Sequence, residues 1–549
     1  MEGRCMNRPN MFLSLAVLIL AEFASFHGAN AAPSSGFAAR CSAVKGMTVE
    51  GGAVTTAEPI QASAPPVTEK SVPDHCLVRG AMNQRTGIDG QPYALQFELR
   101  LPTDWNKRFY YQGGSGVDGV LFPAIGTYSG GGNLRNALLD GFAVVTTDSG
   151  HEEIANTPNG KFLFGVDPQA RLEYGNMQIP QVAAAAKTLI RGFYGELPQF
   201  SYFYGSSNGG RQAMIAAQQY PDLFNGILAS APGFRLAQAS IQALYQAQIA
   251  AQVAPRGPDG RPDIKKTLTD SEKAIVVKKI LDACDMLDGV KDGMVSRLSA
   301  CHPDPAEWAC KAGETTDCLP EAKAAYIKAL FAGAHTRDGR LIYSPWPFDP
   351  GMVEQTGNPF YVLFAGEASH IYTTPPTITP DLLGYGLSAD IDREFAKLSA
   401  TDGTFTVAGT DFTNAESANM DRFRANGGKL MIFNGTADLA FSIYDVAAYY
   451  KKVEERYGAN AARDFVRVFF VPGMAHTQGG AYGTDQFDAF GALTQWVEKG
   501  VAPTQLIATA RAEAGVKWPG RTRPICLYPT EAVYGGHGDI EKAENFVCQ

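Results

Sequence analysis

One serine of the chain stands in a setting that would make it a nucleophile. Ser207 is the centre of a Gly-x-Ser-x-Gly motif, between an aromatic-rich run at 200–204 and an Ala/Gln-rich run at 211–220. The first run is typical of a buried strand and the second of a helix. On a sharp strand-to-helix turn, flanking glycines let the two elements approach, and the helix N-terminus directs N–H groups at the site. A bare motif is often only a glycine-rich loop, but the flanking elements favour Ser207 as a nucleophile.

A nucleophilic serine requires a base to accept its proton and a carboxylate to orient that base. Five histidines follow Ser207, and His476 is the one that comes directly after a strongly apolar strand, at 465–471. Asp438 comes just after the preceding apolar strand, at 429–433. The order Ser, Asp, His, with each residue beyond a strand, is that of α/β-hydrolases. We therefore expect His476 as the base and Asp438 as the acid.

Other residues compete for these two roles. Asp445 lies one turn into the helix after Asp438 and is the alternative acid. Asp148 and His151 follow an earlier apolar strand, but they precede the serine, so we assign them a structural or pocket-rim role. The chain order thus favours Asp438 and His476.

An early strand end carries a glycine-rich loop. The run at 108–112 has the composition of a strand and is followed by Gly-Gly-Ser-Gly at 113–116. In α/β-hydrolases such a loop supplies one oxyanion N–H group, and the residue after the nucleophile supplies the other. We expect the N–H groups of Gly116 and Asn208 in these roles. Taken alone, the loop would be interpreted as a flexible turn.

The pattern of elements predicts an interrupted α/β fold. Strands and helices alternate up to about residue 233, which is typical of a parallel sheet. The Ala/Ser/Pro-rich segment at 32–75 predicts an irregular arm tied down by Cys41. The alternation stops at 234 and returns near 419. The predicted division is an α/β-hydrolase domain at 32–233 and 419–549, with a large inserted lid domain at 234–418.

The N-terminus has the features of a secretory signal peptide, residues 1–31. Arg4 and Arg8 precede an apolar stretch at 11–20, and residues 29–31 form an A-x-A cleavage signature. The apolar stretch is too short for a membrane anchor, and no later span is predicted. We expect a secreted or periplasmic protein. The formal charge of −9 and the lack of a basic cluster argue against a nucleic-acid partner.

Eight cysteines follow the signal segment, an even number in a chain expected to be exported, so disulfides are predicted. They are Cys41, Cys76, Cys284, Cys301, Cys310, Cys318, Cys526 and Cys548. Eight cysteines allow 105 pairings, of which pairing between neighbours along the chain is the simplest. A zinc site is the alternative, but no Cys-x-x-Cys spacing supports it.

An acidic loop begins at Cys284. Asp285, Asp288 and Asp292 fall within this loop together with two Asp-Gly pairs. Hard cations such as Ca²⁺ are bound by carboxylate and carbonyl oxygens, although this spacing is not that of an EF-hand. Asp-Gly pairs also form ordinary turns, so composition leaves both interpretations open.

Together these motifs resemble the tannase and feruloyl esterase family, and within it the branch that hydrolyses terephthalate monoesters. The resemblance runs from Cys41 to the C-terminus. It is carried by 85–90 (RTGIDG), 113–116 (GGSG), 167–172 (DPQARL), the Ser207 motif, 471–476 (VPGMAH) and 521–524 (RTRP). It implies an α/β-hydrolase body with a large lid, a Ser-His-Asp triad, and a small-molecule aromatic ester as substrate.

The resemblance also implies a structural Ca²⁺ in the lid. Carried over to this chain, its ligands are Asp285, Asp288, Asp292 and the carbonyl oxygens of Val290 and Met294. The family's disulfides match the neighbour pairing, namely Cys41–Cys76, Cys284–Cys301, Cys310–Cys318 and Cys526–Cys548.

The chain departs from the family beside the expected catalytic residues. The family usually joins a cysteine just before the nucleophile to one just after the histidine. This chain has Ser206 and Thr477 at those positions. Without that disulfide, packing or polar contacts must hold the two catalytic loops.

The lid is a second departure. The terephthalate-monoester hydrolases grip the free carboxylate of their substrate with a lid arginine, whereas residues 357–376 of this chain contain no arginine. His370 is the remaining candidate for a positive charge. A neutral aromatic ester is therefore at least as well matched as a terephthalate monoester. The predicted substrate contacts are Ser115, Leu236, His370, Tyr372 and Phe441.

The sequence thus predicts a secreted serine esterase that cleaves esters of aromatic acids through an acyl-enzyme. A tannase-type galloyl esterase is an alternative within the same family. A peptidase on the same fold is another, although nothing marks an exopeptidase pocket. A calcium-stabilised binding protein on an inactive hydrolase scaffold is the non-enzymatic alternative, and the intact Ser, His and Asp set argues against it.

Overall fold

The computed structural model describes residues 35–128, 135–357 and 360–549. The predicted signal peptide lies outside these residues and stays a prediction. Across the described part of the chain, none of the helices has the length and apolar character that crossing a bilayer requires.

A ten-stranded sheet organises the described residues. Its strands are β1 (Thr48–Val49), β2 (Gly52–Ile60), β3 (His75–Thr86), β4 (Pro92–Pro102), β5 (Arg108–Gln112), β6 (Ala143–Thr147), β7 (Phe200–Ser206), β8 (Gly226–Ser230), β9 (Lys429–Gly435) and β10 (Val466–Val471). Their spatial order is β1-β2-β3-β4-β6-β5-β7-β8-β9-β10. Two small antiparallel pairs follow, β11 (Gln505–Thr509) with β12 (Thr522–Cys526) and β13 (Ala532–Tyr534) with β14 (Phe546–Cys548).

The sheet is antiparallel from β1 to the β4–β6 pair and parallel from β6 to β10. Every residue of β6 and β8 is buried, as expected where helices cover both faces of parallel strands. Parallel strands end at the same edge of a sheet. The loops after β5, β7, β9 and β10, which carry the predicted site residues, therefore meet at one edge.

Helices surround the sheet and fill the predicted lid. They are α1 (Ser35–Val44), α2 (Pro168–Leu172), α3 (Gln178–Tyr194), α4 (Asn208–Gln219), α5 (Leu236–Ala251), α6 (Asp270–Cys284), α7 (Glu321–Ala332), α8 (Pro350–Glu354), α9 (Phe360–Glu367), α10 (Leu382–Ser388), α11 (Ile391–Lys397), α12 (Gly409–Thr413), α13 (Asp421–Ala425), α14 (Ile443–Tyr457), α15 (Ala459–Arg463) and α16 (Ala489–Lys499). All ten sheet strands lie outside 234–418, where α5 to α12 fall. This arrangement confirms the α/β-hydrolase class, and the lid boundaries stay a prediction.

The expectation of an irregular arm at 32–75 is wrong for residues 35–60. They form the helix α1 and the strands β1 and β2, and β2 pairs with β3 from Gly52 to Ile60. Residues 61–74 belong to no helix or strand, as expected, and Cys41 ties α1 to β3. Along β2 only Val54 is fully buried, so the strand lacks a strong apolar alternation. Its structure depends on pairing with β3, and such tertiary pairing overrides weak local propensity.

The disulfide prediction is confirmed. The structure joins Cys41 to Cys76, Cys284 to Cys301, Cys310 to Cys318, and Cys526 to Cys548. The first bond fastens α1 to β3, and the last fastens β12 to β14.

Candidate active site

Ser207 occupies a strained turn between β7 and α4. Its φ of 60° and ψ of −120° lie outside the regions that residues other than glycine ordinarily adopt. A Cβ atom on Gly205 would lie 2.1 Å from the carbonyl oxygen of Gly209, and one on Gly209 would lie 2.4 Å from that of Gly114. Both positions therefore require glycine, as the Gly-x-Ser-x-Gly pattern predicts.

Three predicted side chains form one hydrogen-bonded chain. His476 Nε2 lies 3.0 Å from Ser207 Oγ, and His476 Nδ1 lies 2.9 Å from Asp438 Oδ2. The other carboxylate oxygen of Asp438 accepts the N–H groups of Ala440 and Phe441, at 2.8 and 3.1 Å. The Asp438 side chain is fully buried, whereas that of His476 is 15% exposed. The arrangement can pass the serine proton to an imidazole that the carboxylate keeps oriented.

The alternative acid is engaged elsewhere. Asp445 Oδ1 accepts hydrogen bonds from Arg235 Nη1 at 2.7 Å and from Ser344 Oγ at 2.8 Å. Asp445 is buried, and its partners hold it against the lid segment rather than against His476. The structure therefore brings Asp438, and not Asp445, to the imidazole.

The earlier acid and histidine pair supports neighbouring backbone. Asp148 Oδ1 accepts the N–H groups of Gln96 and Gly150, and burial raises the pKa of Asp148 to about 8. His151 Nε2 lies 2.9 Å from the carbonyl oxygen of Val117, and burial lowers the pKa of His151 to about 4. Both contacts fit the structural role that the sequence predicts for these residues.

The loop after β5 packs against the nucleophile turn. The Gly113 N–H donates to the carbonyl of Tyr204 at 2.8 Å, and the Gly114 N–H donates to Gln212 Oε1 at 3.0 Å. Asn208 is the first residue of α4, where an N–H group has no acceptor within its own helix. Gly116 lies two residues beyond Gly114 and has a φ of 56°. The two predicted oxyanion donors thus belong to segments in direct contact.

A buried carboxylate that sequence reasoning missed fastens these segments together. Asp118 accepts hydrogen bonds from the side chains of Asn208 and Ser149, and from Gln212 Nε2 at 2.7 Å. Burial raises the pKa of Asp118 to about 6, although these hydrogen bonds act in the opposite direction. No motif marks Asp118, and its position two residues after Gly116 is the only signal that the sequence offers.

Aromatic rings lie beside the imidazole of His476. The ring centroids of Phe441 and Phe360 lie 5.3 and 5.4 Å from that of His476, and Phe364 lies 6.0 Å from Phe441. A Cβ atom on Gly233 would contact both Phe441 and Leu236, so these two predicted pocket residues are neighbours. Phe360 and Phe364 were missed, although their spacing of one helical turn on α9 was a usable signal.

The other predicted substrate contacts, His370, Tyr372 and Ser115, form hydrogen bonds with neighbouring residues. His370 Nδ1 lies 2.7 Å from Ser369 Oγ, and burial lowers the pKa of His370. The hydroxyl groups of Tyr372 and Tyr174 lie 2.8 Å apart in a buried setting. The Ser115 carbonyl accepts the Asp118 N–H at 2.9 Å. Within the described part of the chain, these hydrogen bonds join none of Ser115, His370 and Tyr372 to Ser207 or His476.

An acidic side chain shares the α9 face with the aromatic rings. Glu367 follows Phe360 and Phe364 at helical spacing and is 1% exposed. Its Oε2 has no hydrogen-bond partner among the described residues, and burial raises the pKa of Glu367 to about 8. The helix α9 therefore carries a buried carboxyl group on the face of Phe360 and Phe364, and Arg211 and Lys161 are the cations that act on it.

The acidic loop after α6 is largely bonded to backbone. Asp285 Oδ1 accepts the backbone N–H groups of Asp292 and Gly293, each at 3.0 Å. The Asp292 carboxylate in turn accepts a hydrogen bond from the guanidinium group of Arg523. Within the described residues, no three His, Cys, Asp or Glu side chains gather as ligands of one metal ion would. Asp288 Oδ2, however, is buried there without a hydrogen-bond partner. That free oxygen fits a cation ligand, and carbonyl oxygens would have to supply much of the remaining coordination.

The chain is similar to known proteins in both sequence and fold. Residues 78–549 match the family described as tannase and feruloyl esterase. The mono(2-hydroxyethyl) terephthalate hydrolase of Piscinibacter sakaiensis is 38% identical over 542 residues, covering 91% of this chain and 88% of that protein. A probable feruloyl esterase B-2 of Neosartorya fischeri is 27% identical over 511 residues, covering 88% and 90%. The crystal structure of feruloyl esterase B from Aspergillus oryzae superimposes with a TM-score of 0.74 at 21% identity, covering 93% of this chain and 100% of that one.

Proposed function

The chain belongs to the tannase and feruloyl esterase family, and from that premise we propose that this carboxylic ester hydrolase cleaves esters of aromatic acids with Ser207, His476 and Asp438 as its triad. The observation that carries the proposal is the hydrogen-bonded chain from Ser207 Oγ to Asp438, set beneath a group of aromatic rings. Flat apolar walls beside a nucleophile suit an aromatic acyl group.

The acylation step follows from this geometry. Ser207 Oγ attacks the ester carbonyl while His476 Nε2 takes its proton, and Asp438 stabilises the imidazolium through Nδ1–H. The negative charge on the carbonyl oxygen is stabilised by the N–H groups of Gly116 and Asn208. His476 then gives the proton to the leaving alcohol oxygen, the ester C–O bond breaks, and an acyl-enzyme remains.

Deacylation repeats the sequence with water. His476 accepts a proton as water attacks the acyl carbonyl, and it returns that proton to Ser207 Oγ as the acid leaves. The same two N–H groups stabilise the second oxyanion. Free enzyme, the aromatic acid and the alcohol are the products.

Asp118 provides a test of the oxyanion arrangement. In Asp118→Asn, we expect kcat for methyl ferulate to fall by about 10- to 100-fold, because an amide places an N–H group where the carboxylate accepts several donors. Gln212 cannot turn to compensate without losing its bond to the Gly114 N–H. As a control, Asp140→Asn changes a carboxylate that bonds Arg135 and Tyr128, and should leave kcat unchanged. An unchanged kcat in Asp118→Asn would contradict the role given to this loop.

We propose that a neutral aromatic ester is preferred over a terephthalate monoester. A free carboxylate loses hydration when it enters an apolar pocket, and that loss needs a cation or several donors in return. The helix α9 carries the carboxyl of Glu367 on the same face as Phe360 and Phe364, and residues 357–376 include no arginine. A galloyl ester is the second neutral substrate class that the family relationship supports.

The charge preference can be measured with three esters. We expect kcat/KM for methyl ferulate to exceed that for mono(2-hydroxyethyl) terephthalate by about 10- to 100-fold, the range that one unpaired buried charge produces. Bis(2-hydroxyethyl) terephthalate is the matched control, because it keeps the ring and removes the charge, and it should be cleaved faster than the monoester. A preference for the monoester would contradict the proposal and would make His370 the candidate partner of the substrate carboxylate. Hydrolysis of none of the three would contradict the substrate class.

We further propose a structural Ca²⁺ held by Asp285, Asp288, Asp292 and the carbonyl oxygens of Val290 and Met294. The family resemblance and the buried, unpartnered oxygen of Asp288 support this assignment. Bound there, Ca²⁺ would supply charge neutralisation and cross-link the loop, and it takes no part in ester cleavage.

Removal of the ion should lower stability. We expect EGTA to lower the melting temperature by about 2 to 5 °C, because a ligand that binds only the folded state stabilises it by mass action. Adding back Ca²⁺ should restore the value, and Asp288→Asn should melt at the lower temperature with no response to EGTA. A wild-type protein that neither binds Ca²⁺ nor responds to EGTA would exclude the site.

Export is also part of the proposal. The predicted signal peptide at 1–31 supports a secreted or periplasmic location. So do the four disulfides, since such bonds persist in oxidising compartments.

A further inference from the structure

A single buried carboxylate of the lid segment contacts both loops that carry the acid and the base. Asp349 is 1% exposed and precedes α8, where its Oδ1 accepts the Gly351 N–H at 2.7 Å as a helix N-cap. Its Oδ2 accepts the Thr436 hydroxyl at 2.5 Å and the Gly473 N–H at 3.2 Å. One side chain thus bonds to three backbone segments.

The two loop residues that Asp349 contacts stand next to the triad in sequence. Thr436 lies two residues before Asp438, and Gly473 lies three residues before His476. The Gly473 N–H also donates to Thr436 Oγ1 at 2.7 Å, so Thr436, Gly473 and Asp349 form a closed set of hydrogen bonds. A shift of either loop relative to the other would break at least one of them.

The lid segment reinforces the acid loop at two further points. Trp346 Nε1 donates to the carbonyl of Asp438 at 2.8 Å, and Gln355 Nε2 donates to the carbonyl of Ala437. Asp349 lies between these residues in sequence, and it is the member of the segment that also reaches the histidine loop. Backbone hydrogen bonds also join the acid and histidine loops directly, from the Thr436 N–H to the Val471 carbonyl and from the Ala437 N–H to the Met474 carbonyl, each at 3.0 Å, and Asp349 adds a side-chain link to them.

We propose that Asp349 is a positioning residue that holds the Asp438 loop and the His476 loop in register. The inference rests on the proposed function of Asp438 and His476. Three donors converge on this carboxylate, and none belongs to a lysine or arginine. A side chain that only accepts hydrogen bonds is therefore required on the side facing the two loops.

Asp349→Asn tests the contacts with Thr436 and Gly473 while it leaves the helix cap in place. Asparagine caps a helix as well as aspartate does, so its oxygen can keep the Gly351 N–H while its N–H₂ group faces Thr436 and Gly473. We expect kcat for methyl ferulate to fall by about 10- to 100-fold with KM within about twofold, because small misplacements of a triad reduce the rate and leave binding intact. Asp488→Asn, which alters the N-cap of α16, is the control and should leave kcat unchanged.

Thr436→Val provides a second approach that does not touch the lid. It removes the hydroxyl group that joins Asp349 to the acid loop, and we expect the same loss of kcat. If both variants melt within a few degrees of wild type and keep full kcat, the proposal is overturned. If Asp349→Asn does not fold, Thr436→Val decides by the same criterion.

A disulfide added at 206 and 477 tests which loops Asp349 holds. Such a bond would join the Ser207 turn to the His476 loop and leave the Asp438 loop untied. In Asp349→Asn carrying Ser206→Cys and Thr477→Cys, with bond formation verified by mass spectrometry, we therefore expect kcat to stay at the level of Asp349→Asn alone. Full recovery of kcat by the verified bond would overturn the proposal, because the loss would then lie between the Ser207 turn and the His476 loop. Ser207→Ala with full activity would instead refute the proposed function itself, whatever Asp349 does.

Discussion

Replacing Ser207 with alanine is expected to lower kcat for methyl ferulate by about four to six orders of magnitude, because the covalent route then has no nucleophile. The residual rate would come from the oxyanion donors and from substrate binding alone. Steady-state assays of the purified variant test this, together with a search for an acyl-enzyme by mass spectrometry. The acyl adduct should form on the wild-type chain and be absent from the variant.

The neighbouring serine offers a matched control for this experiment. Ser206 ends β7 and precedes the strained turn, and its side chain is not part of the chain from Ser207 to Asp438. Ser206→Ala should keep kcat within about threefold of wild type, as expected for a change away from the reacting groups. Loss of activity in both variants would point to a damaged turn. Full activity in Ser207→Ala would favour a second catalytic site or a binding role for this scaffold.

The central sheet and the hydrogen-bonded arrangement of Ser207, His476 and Asp438 were predictable because their signals are local. The strand β5 has the predicted bounds Arg108–Gln112, and β10 begins one residue later than predicted. Fully buried parallel strands appear as continuous apolar runs. Since catalytic residues of this fold follow such strands in a fixed order, finding the strands was enough to find Ser207, Asp438 and His476.

The N-terminal segment was not predictable in this way. The strand β2 combines threonine, alanine and proline and has one fully buried residue, so its composition matches a loop as well as it matches an edge strand. What makes it a strand is the antiparallel ladder with β3. Strands of this kind depend on partners that single-sequence patterns do not show.

The roles of the buried carboxylates Asp118 and Asp349 could not be predicted from the sequence, for a related reason. Asp118 and Asn208 are 90 residues apart, and Asp349 and Thr436 are 87 residues apart. Neither aspartate belongs to a motif, and an isolated aspartate in a loop is usually a turn residue or a cap. Their roles arise only where the fold brings several donors onto one buried carboxylate, which is a tertiary property.

Asp438→Asn is expected to lower kcat by about four orders of magnitude near neutral pH, because it reverses the tautomer of His476. The N–H groups of Ala440 and Phe441 fix one oxygen of Asp438, so the oxygen of an asparagine would stay with them. Its N–H₂ group would then donate to His476 Nδ1. The imidazole proton would be driven to Nε2, which could no longer accept a proton from Ser207.

Asp445, the alternative acid, provides the matched comparison for Asp438→Asn. Asp445→Asn breaks a buried ion pair with Arg235, so we expect it to reduce the free energy of unfolding by about 2 to 4 kcal/mol while kcat of the folded enzyme stays near wild type. The two substitutions make the same chemical change only seven residues apart, and chemical denaturation with kcat measured on each protein separates their effects. If Asp445→Asn lost activity and Asp438→Asn retained it, the acid would be misassigned. The opposite result would assign catalysis to the carboxylate at 2.9 Å from the imidazole and stability to its neighbour.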